Sequence, residues 1–177
     1  MSDEVLESLR TGVRKPLDKD KPIVQTAREK VVLDPETGKH IGITAEMMLA
    51  SLISAGCNVK NGKKQISTQK TTTLPSLMRL KGTFFPFNNM NGDWESSMKP
   101  DKRRGRLRDG TAVCIVRPKF SEWEFEVPIE VNDNRVKPAT IKALFEEAGG
   151  GQGLGAFRPN CRGIFGQFEV VEFAEQK

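Results

Sequence analysis

The chain has no tyrosine, one histidine and three cysteines in its 177 residues. It also lacks any apolar run near the roughly 20 residues that a membrane-spanning helix needs. Each shortage closes off a class of protein. The opening Met1 to Leu9 is acidic and broken by polar residues, so it has no signal-peptide core, and a cytoplasmic location is expected. Cys57, Cys114 and Cys161 form no C-x-x-C pair, and an odd number of cysteines without a secretion signal reads as reduced thiols. A structural zinc site would require all three together with His40, at spacings no familiar site uses, so no metal and no other cofactor is expected. Nothing resembles a phosphate-binding P-loop, a nucleophile elbow or a paired-carboxylate site. Nor is there a solenoid repeat. With aromatic residues at 7% and no tyrosine, a broad base-stacking platform is disfavoured.

What remains is a chain that is 37% hydrophobic and 29% charged, with a net charge of +5. That suits one domain with a modest core and generous loops. The mild basic excess permits a nucleic-acid or acidic partner. Its distribution is uneven. Lys99, Lys102, Arg103, Arg104, Arg106 and Arg108 fall within ten residues against a single acid, Asp101.

Hydrophobic periodicity organises the rest. Residues 1–22, punctuated by Pro16 and Pro22, read as a flexible arm, and residues 23–177 as a single domain. Ile23 to Leu33 has β-branched residues at both ends and stops at Asp34-Pro35-Glu36-Thr37-Gly38, which predicts a first strand. Thr44 is placed to cap a helix whose stripe is Ala45, Met48, Leu49, Leu52 and Ile53, with an Ile43–Met48 staple at its start and Gly56 at its end. Leu80 to Phe87 suggests a short strand. Thr111 to Val116 and the strictly alternating Trp123 to Val131 predict two strands joined as a hairpin, with Pro128 marking an edge. Pro138 opens a second helix with the stripe Ile141, Leu144, Phe145 and Ala148. Gln167 to Phe173 reads as a last strand.

Between that helix and that strand lies the densest glycine cluster in the sequence. Seven of the 16 glycines fall in residues 149–166, with Phe157, Arg158, Arg162 and Phe165 among them. Glycine tolerates positive φ and admits another backbone at close range. Consecutive glycine amides also form concave nests for anions such as phosphate. Gly153, Gly155, Gly163 and Gly166 are the candidates for such a nest, with Arg158 and Arg162 at its rim and Phe157 and Phe165 as base-stacking or core-plugging rings. The basic run at 99–108 is a candidate to follow a nucleic-acid backbone.

The order of elements is that of a ferredoxin-like βαββαβ fold with one extra short strand, an α+β class whose open sheet face is one platform for single-stranded RNA. The segment Gly153-Leu154-Gly155, followed by Gly163-Ile164-Phe165-Gly166, resembles the glycine-rich loop of the RAMP superfamily, the RNA-binding and RNA-processing proteins of CRISPR effector complexes. Ile41-Gly42-Ile43-Thr44 is similar to the turn that opens their first helix. The likeness covers about a third of the chain, departs where Phe165 precedes Gly166, and lacks the long insertions of full-size backbone subunits. The stretch from Gly155 to Val170 also resembles small proteins of bacteriophage genomes, which implies a bacterial or phage-infected host cytoplasm.

The resemblance implies a non-catalytic protein that binds single-stranded RNA or DNA. Two other readings stand beside it. One is a phage-encoded structural or interaction subunit that forms homo- or hetero-oligomers through its edge strand or glycine-rich loop. The other is a metal-independent endoribonuclease with His40 as general base, because imidazole titrates in the right range for that work. No membrane partner is expected.

Overall fold

The structure is a computed structural model that describes residues 10–12, 21–90, 93–106 and 110–174. The protein is α+β, with helices and small antiparallel strand pairs. Its contacts gather it into two compact units, Met1–Gly42 with Phe87–Glu124 and Ile43–Pro86 with Phe125–Lys177. Most of the arm expected over residues 1–22 lies outside the described residues.

The first unit is built on helix α1 (Ile23–Arg28) and a long hairpin. Here the expected first strand is corrected. Pro22 supplies the extended residue that starts a helix, and its carbonyl accepts the Thr26 amide at 3.0 Å and the Thr26 hydroxyl at 3.2 Å. An ion pair between Lys21 and Glu29 spans the turn. The β-branched residues at the ends of this segment did not decide it. The helix instead buries one small residue, Ala27, against Ile41, Trp94, Met98 and Val116. Trp94 opens a one-turn helix, α4 (Trp94–Ser97), whose preceding Asp93 accepts the Ser96 amide. Phe87 stacks on Trp123 at 5.9 Å and meets Phe120 edge-on at 6.3 Å.

The hairpin pairs β6 (Lys99–Arg106) with β7 (Ala112–Lys119) antiparallel, from Lys99 opposite Lys119 to Arg106 opposite Ala112. The partner expected for the second of these strands was Trp123 to Val131, and it is the basic run instead. Charge hides strand character in the sequence. The β-branched Val113, Ile115 and Val116 supply it from the other side of the ladder. Gly105 fits because Ile115 and Val113 fold over the place its side chain would take.

In the second unit, α2 (Ala45–Ala55) forms as the stripe predicts and buries Met48, Ser51, Leu52 and Ala55. Its cap is Thr44, whose hydroxyl accepts the Met47 amide at 3.3 Å. The first of its strands, β1 (Gly42–Thr44), runs straight into this helix and pairs with β5 (Phe84–Pro86). A tight hairpin, β2 (Lys60–Asn61) with β3 (Lys64–Gln65), turns at Gly62 with φ +65°. The short helix α3 (Leu74–Leu77) leads into β4 (Met78–Leu80), which pairs antiparallel with β8 (Ile129–Val131). Only these last three residues of the alternating Trp123–Val131 stretch join a ladder, because β4 is itself three residues long. The second long helix, α5 (Pro138–Glu147), starts on Pro138 and buries Ile141, Leu144 and Phe145. Gln167 to Phe173 joins no ladder among the described residues. It is tied down by the Phe168 amide on the Gly149 carbonyl at 3.3 Å and by an edge-on contact between Phe168 and Phe125.

Candidate nucleic-acid interface

The glycine-rich segment is an ordered loop in the second unit. Residues Ala148–Gln152 continue α5 as a wide π-helical turn, and the chain reverses at Gly153, φ +71°. Internal hydrogen bonds then close it. The Gly153 amide donates to the Ala148 carbonyl at 2.7 Å, Leu154 to Gly166 at 2.8 Å, Gly163 to Arg158 at 3.0 Å and Phe165 to Phe157 at 3.0 Å. The buried Ser51 hydroxyl donates to the Gly153 carbonyl at 3.0 Å, fastening the loop to α2.

These bonds assign the glycines a structural job. A β-carbon on Gly149 would collide with the Phe168 carbonyl, one on Gly163 with the Phe157 carbonyl, and one on Gly166 with the Leu154 carbonyl. Close passage of one backbone by another explains glycine at all three positions. The Gly153 and Gly163 amides, proposed from sequence as part of an anion nest, are already satisfied by carbonyls of the loop.

The side chains expected at the rim divide. Arg158 turns back and donates from Nη1 to the Gly155 carbonyl at 2.8 Å, so it braces the loop. Arg162 is exposed and sits in the left-handed region at φ +59°, as does Phe157 at φ +56°. Non-glycine residues are uncommon there. Phe157 packs edge-on against Phe165 at 6.0 Å yet stays 40% exposed, and Ile164 is 73% exposed. The loop therefore holds Phe157, Arg162 and Ile164 outward on a fixed backbone.

The basic run lies in the first unit. Side chains alternate faces along a strand. Lys102, Arg104 and Arg106 accordingly share one face of β6, and all three are exposed. Beside them on that face the register sets Val116, Cys114 and Ala112 of β7. The opposite face holds Arg103, half-buried and paired with Asp101 at 2.6 Å, together with Val113 and Ile115. Arg108 lies outside the described residues. Sequence reasoning missed Arg117 and Lys119, which the register places opposite Asp101 and Lys99. Their charge was visible, but their membership of the same ribbon required knowing which strand pairs with the run.

Helix α1 supports the base of this ribbon. Lys30, just beyond the helix, donates its ammonium to the Val116 carbonyl at 2.9 Å. Burial, and then the nearby Arg117 guanidinium, push the Lys30 amine below the usual lysine range.

His40 is also in the first unit, next to Ile41, which bridges Leu33 across a short turn. Among the described residues no cluster of three or more histidine, cysteine or acidic side chains forms a metal site. No helix of the described residues is long and apolar enough to cross a membrane. No protein-family model, curated protein or solved structure matches the chain.

Proposed function

We propose that the protein binds single-stranded nucleic acid, RNA or DNA, through the basic β6–β7 ribbon, and that it does so without catalysis. The observation that carries this reading is the row of exposed side chains Lys102, Arg104 and Arg106 on one face of β6, a face covered only at its inner end, where Val116 opposite Lys102 enters the core. Alternate residues of a strand lie about 6.8 Å apart along one face. That stride is close to the separation of successive phosphates in an extended single strand. Across the ladder Ala112 and Cys114 are short and exposed, so in this reading bases lie over the outer part of β7 while phosphates meet β6. Phosphate contact of this kind dominates affinity and makes it dependent on salt.

The ferredoxin-like, RAMP-like assignment and the cytoplasmic location belong to the same proposal. The support for the assignment is the sequence pattern around Gly153-Leu154-Gly155 and Gly163-Ile164-Phe165-Gly166, which here forms an ordered loop directly after a helix; that for the location is the acidic, polar opening of the sequence. In this reading Arg158 keeps the loop in shape, and Phe157 and Arg162 are the loop's own exposed ring and cation.

The test is fluorescence anisotropy of labelled single-stranded RNA and DNA at two salt concentrations, with a gel of the same mixtures to report cleavage. Expected are binding that weakens steeply with salt, loss of affinity in Lys102→Ala/Arg104→Ala/Arg106→Ala, and intact strands. No binding at low salt sinks the proposal.

One further observation favours a second reading, assembly through the glycine-rich loop. Phe157 and Ile164 are exposed apolar side chains on a fixed backbone, the kind of anchor found at protein interfaces. This reading expects stable oligomers without nucleic acid by mass photometry, lost in Ile164→Asp.

A further inference from the structure

The first unit contains an open cleft of about 520 Å³, lined by Arg28, Leu33, Lys39, His40, Trp94 and Glu95. That volume is in the range of small-molecule sites, which are lined by apolar and aromatic groups with a few polar ones. The apolar part is Trp94 and Leu33. Trp94 is 9% exposed and packed in the core with Ala27, Ile41, Met98 and Val116, so its indole is a fixed surface.

The polar part is held as firmly. Leu33 and Ile41 bridge the two arms of the turn, and the Asp34 amide donates to the His40 carbonyl at 2.8 Å. Within the turn the Asp34 carboxylate accepts the Glu36 amide at 3.0 Å and the Thr37 hydroxyl at 2.7 Å, while the Gly38 amide donates to the Asp34 carbonyl at 2.8 Å. Lys39 and His40 are thus carried on a closed, internally bonded loop. Gly38, at φ +65°, also borders the cleft and has nothing within 4 Å of the place a side chain would take. Across from them Glu95 of α4 fixes the Arg28 guanidinium at the end of α1.

The apolar patch of Leu33 and the exposed edge of Trp94, two basic side chains on an internally bonded turn and a guanidinium held by Glu95 fit one ligand chemistry, a flat ring joined to an anion. We infer that the cleft takes a nucleoside phosphate, with the base over Leu33 at the exposed edge of Trp94 and the phosphate toward Lys39 and His40. The nucleotide arrives either free or as the phosphorylated end of a bound strand. The second source rests on the nucleic-acid reading above, and the first does not.

His40 is the protein's single histidine, so its ring protons are a site-specific signal in proton NMR of the intact protein. Adenosine monophosphate should shift those signals saturably and quench tryptophan fluorescence. Lys39→Ala should weaken that response about tenfold, the loss expected of one charge-assisted hydrogen bond. The Lys102→Ala/Arg104→Ala/Arg106→Ala variant should keep the response to the mononucleotide while losing oligonucleotide affinity. A 5′-phosphorylated oligonucleotide acting at lower concentration than its 5′-hydroxyl twin assigns the strand end as ligand. Equal action of the two, with a response to the mononucleotide, assigns the free nucleotide. His40 signals unmoved by millimolar mononucleotide and by the phosphorylated strand overturn the inference, and leave the ribbon's role standing if oligonucleotides still bind. An equal affinity for inorganic phosphate also overturns it, because Trp94 and Leu33 would then contribute nothing.

Discussion

The carbonyl of Phe157 stands where a β-carbon on Gly163 would have to be. Neither residue can move alone, because the same carbonyl accepts the Phe165 amide and the Gly163 amide is bonded to Arg158. Gly163→Ala should therefore force the loop open, at about 1–3 kcal/mol for overpacking. Gly150, in the same cluster, meets nothing within 4 Å and has no positive φ. Gly150→Ala should be neutral or stabilise by about 0.5–1 kcal/mol, through the backbone entropy removed from the unfolded chain. Urea denaturation of the pair checks this. Equal midpoints for the two variants would show that the loop is not packed as described.

The contrast between these glycines also marks what the sequence could and could not reveal. Glycine density announced a folded loop, but whether its amides face a ligand or its own carbonyls depends on pairings such as Leu154 with Gly166, which periodicity does not reveal. The α2 and α5 helices were legible because each has a complete apolar stripe and its own start signal, Thr44 in one and Pro138 in the other. Ile23 to Arg28 was not, since a six-residue helix is too short for periodicity to outvote β-branched ends. The Lys99–Arg106 strand was hidden for a different reason. Its apolar contribution comes entirely from its partner, and register is a long-range property.

That register separates the cations of β6 by face. Arg103 is half-buried and held by Asp101, whereas Arg104, one residue on, is exposed on the opposite face. If the exposed row contacts phosphates, removing Lys102, Arg104 and Arg106 together should reduce the slope of log affinity against log salt by about 2 for a single strand. Arg104→Ala alone should reduce it more than Arg103→Ala. Anisotropy titrations across a salt series measure both. A larger effect at Arg103 would place the strand on the other face of the ribbon.

The Thr44 cap offers a test of the second unit alone. Its hydroxyl satisfies the Met47 amide at the start of α2, whose Leu52 and Ala55 are fully buried. Thr44→Ala should cost about 1 kcal/mol, and Thr44→Ser much less, since serine keeps the accepting oxygen. Thermal or urea unfolding followed by circular dichroism distinguishes them. Equal losses in the two variants would shift the role of Thr44 from its hydroxyl to its methyl group.

The turn that carries Lys39 and His40 should respond to pH through Asp34. The Thr37 hydroxyl, and after it the Glu36 amide, hold this carboxyl below the usual aspartate range. A carboxyl that ionises more readily in the folded state adds stability above its unfolded value, roughly pH 4. That contribution fades as pH falls through the lower folded value. Because Asp34 is at the surface, the effect is local and belongs to the turn. Hydrogen exchange should show the Gly38 amide, bonded to the Asp34 carbonyl at 2.8 Å, protected at pH 6 and losing protection as the pH drops below about 4. In Asp34→Ala the amide should already exchange fast at pH 6, and the His40 response to a nucleotide should weaken with it. Protection that persists unchanged in Asp34→Ala would mean that the Leu33–Ile41 bridge alone holds the turn, and that the carboxylate is incidental to the cleft.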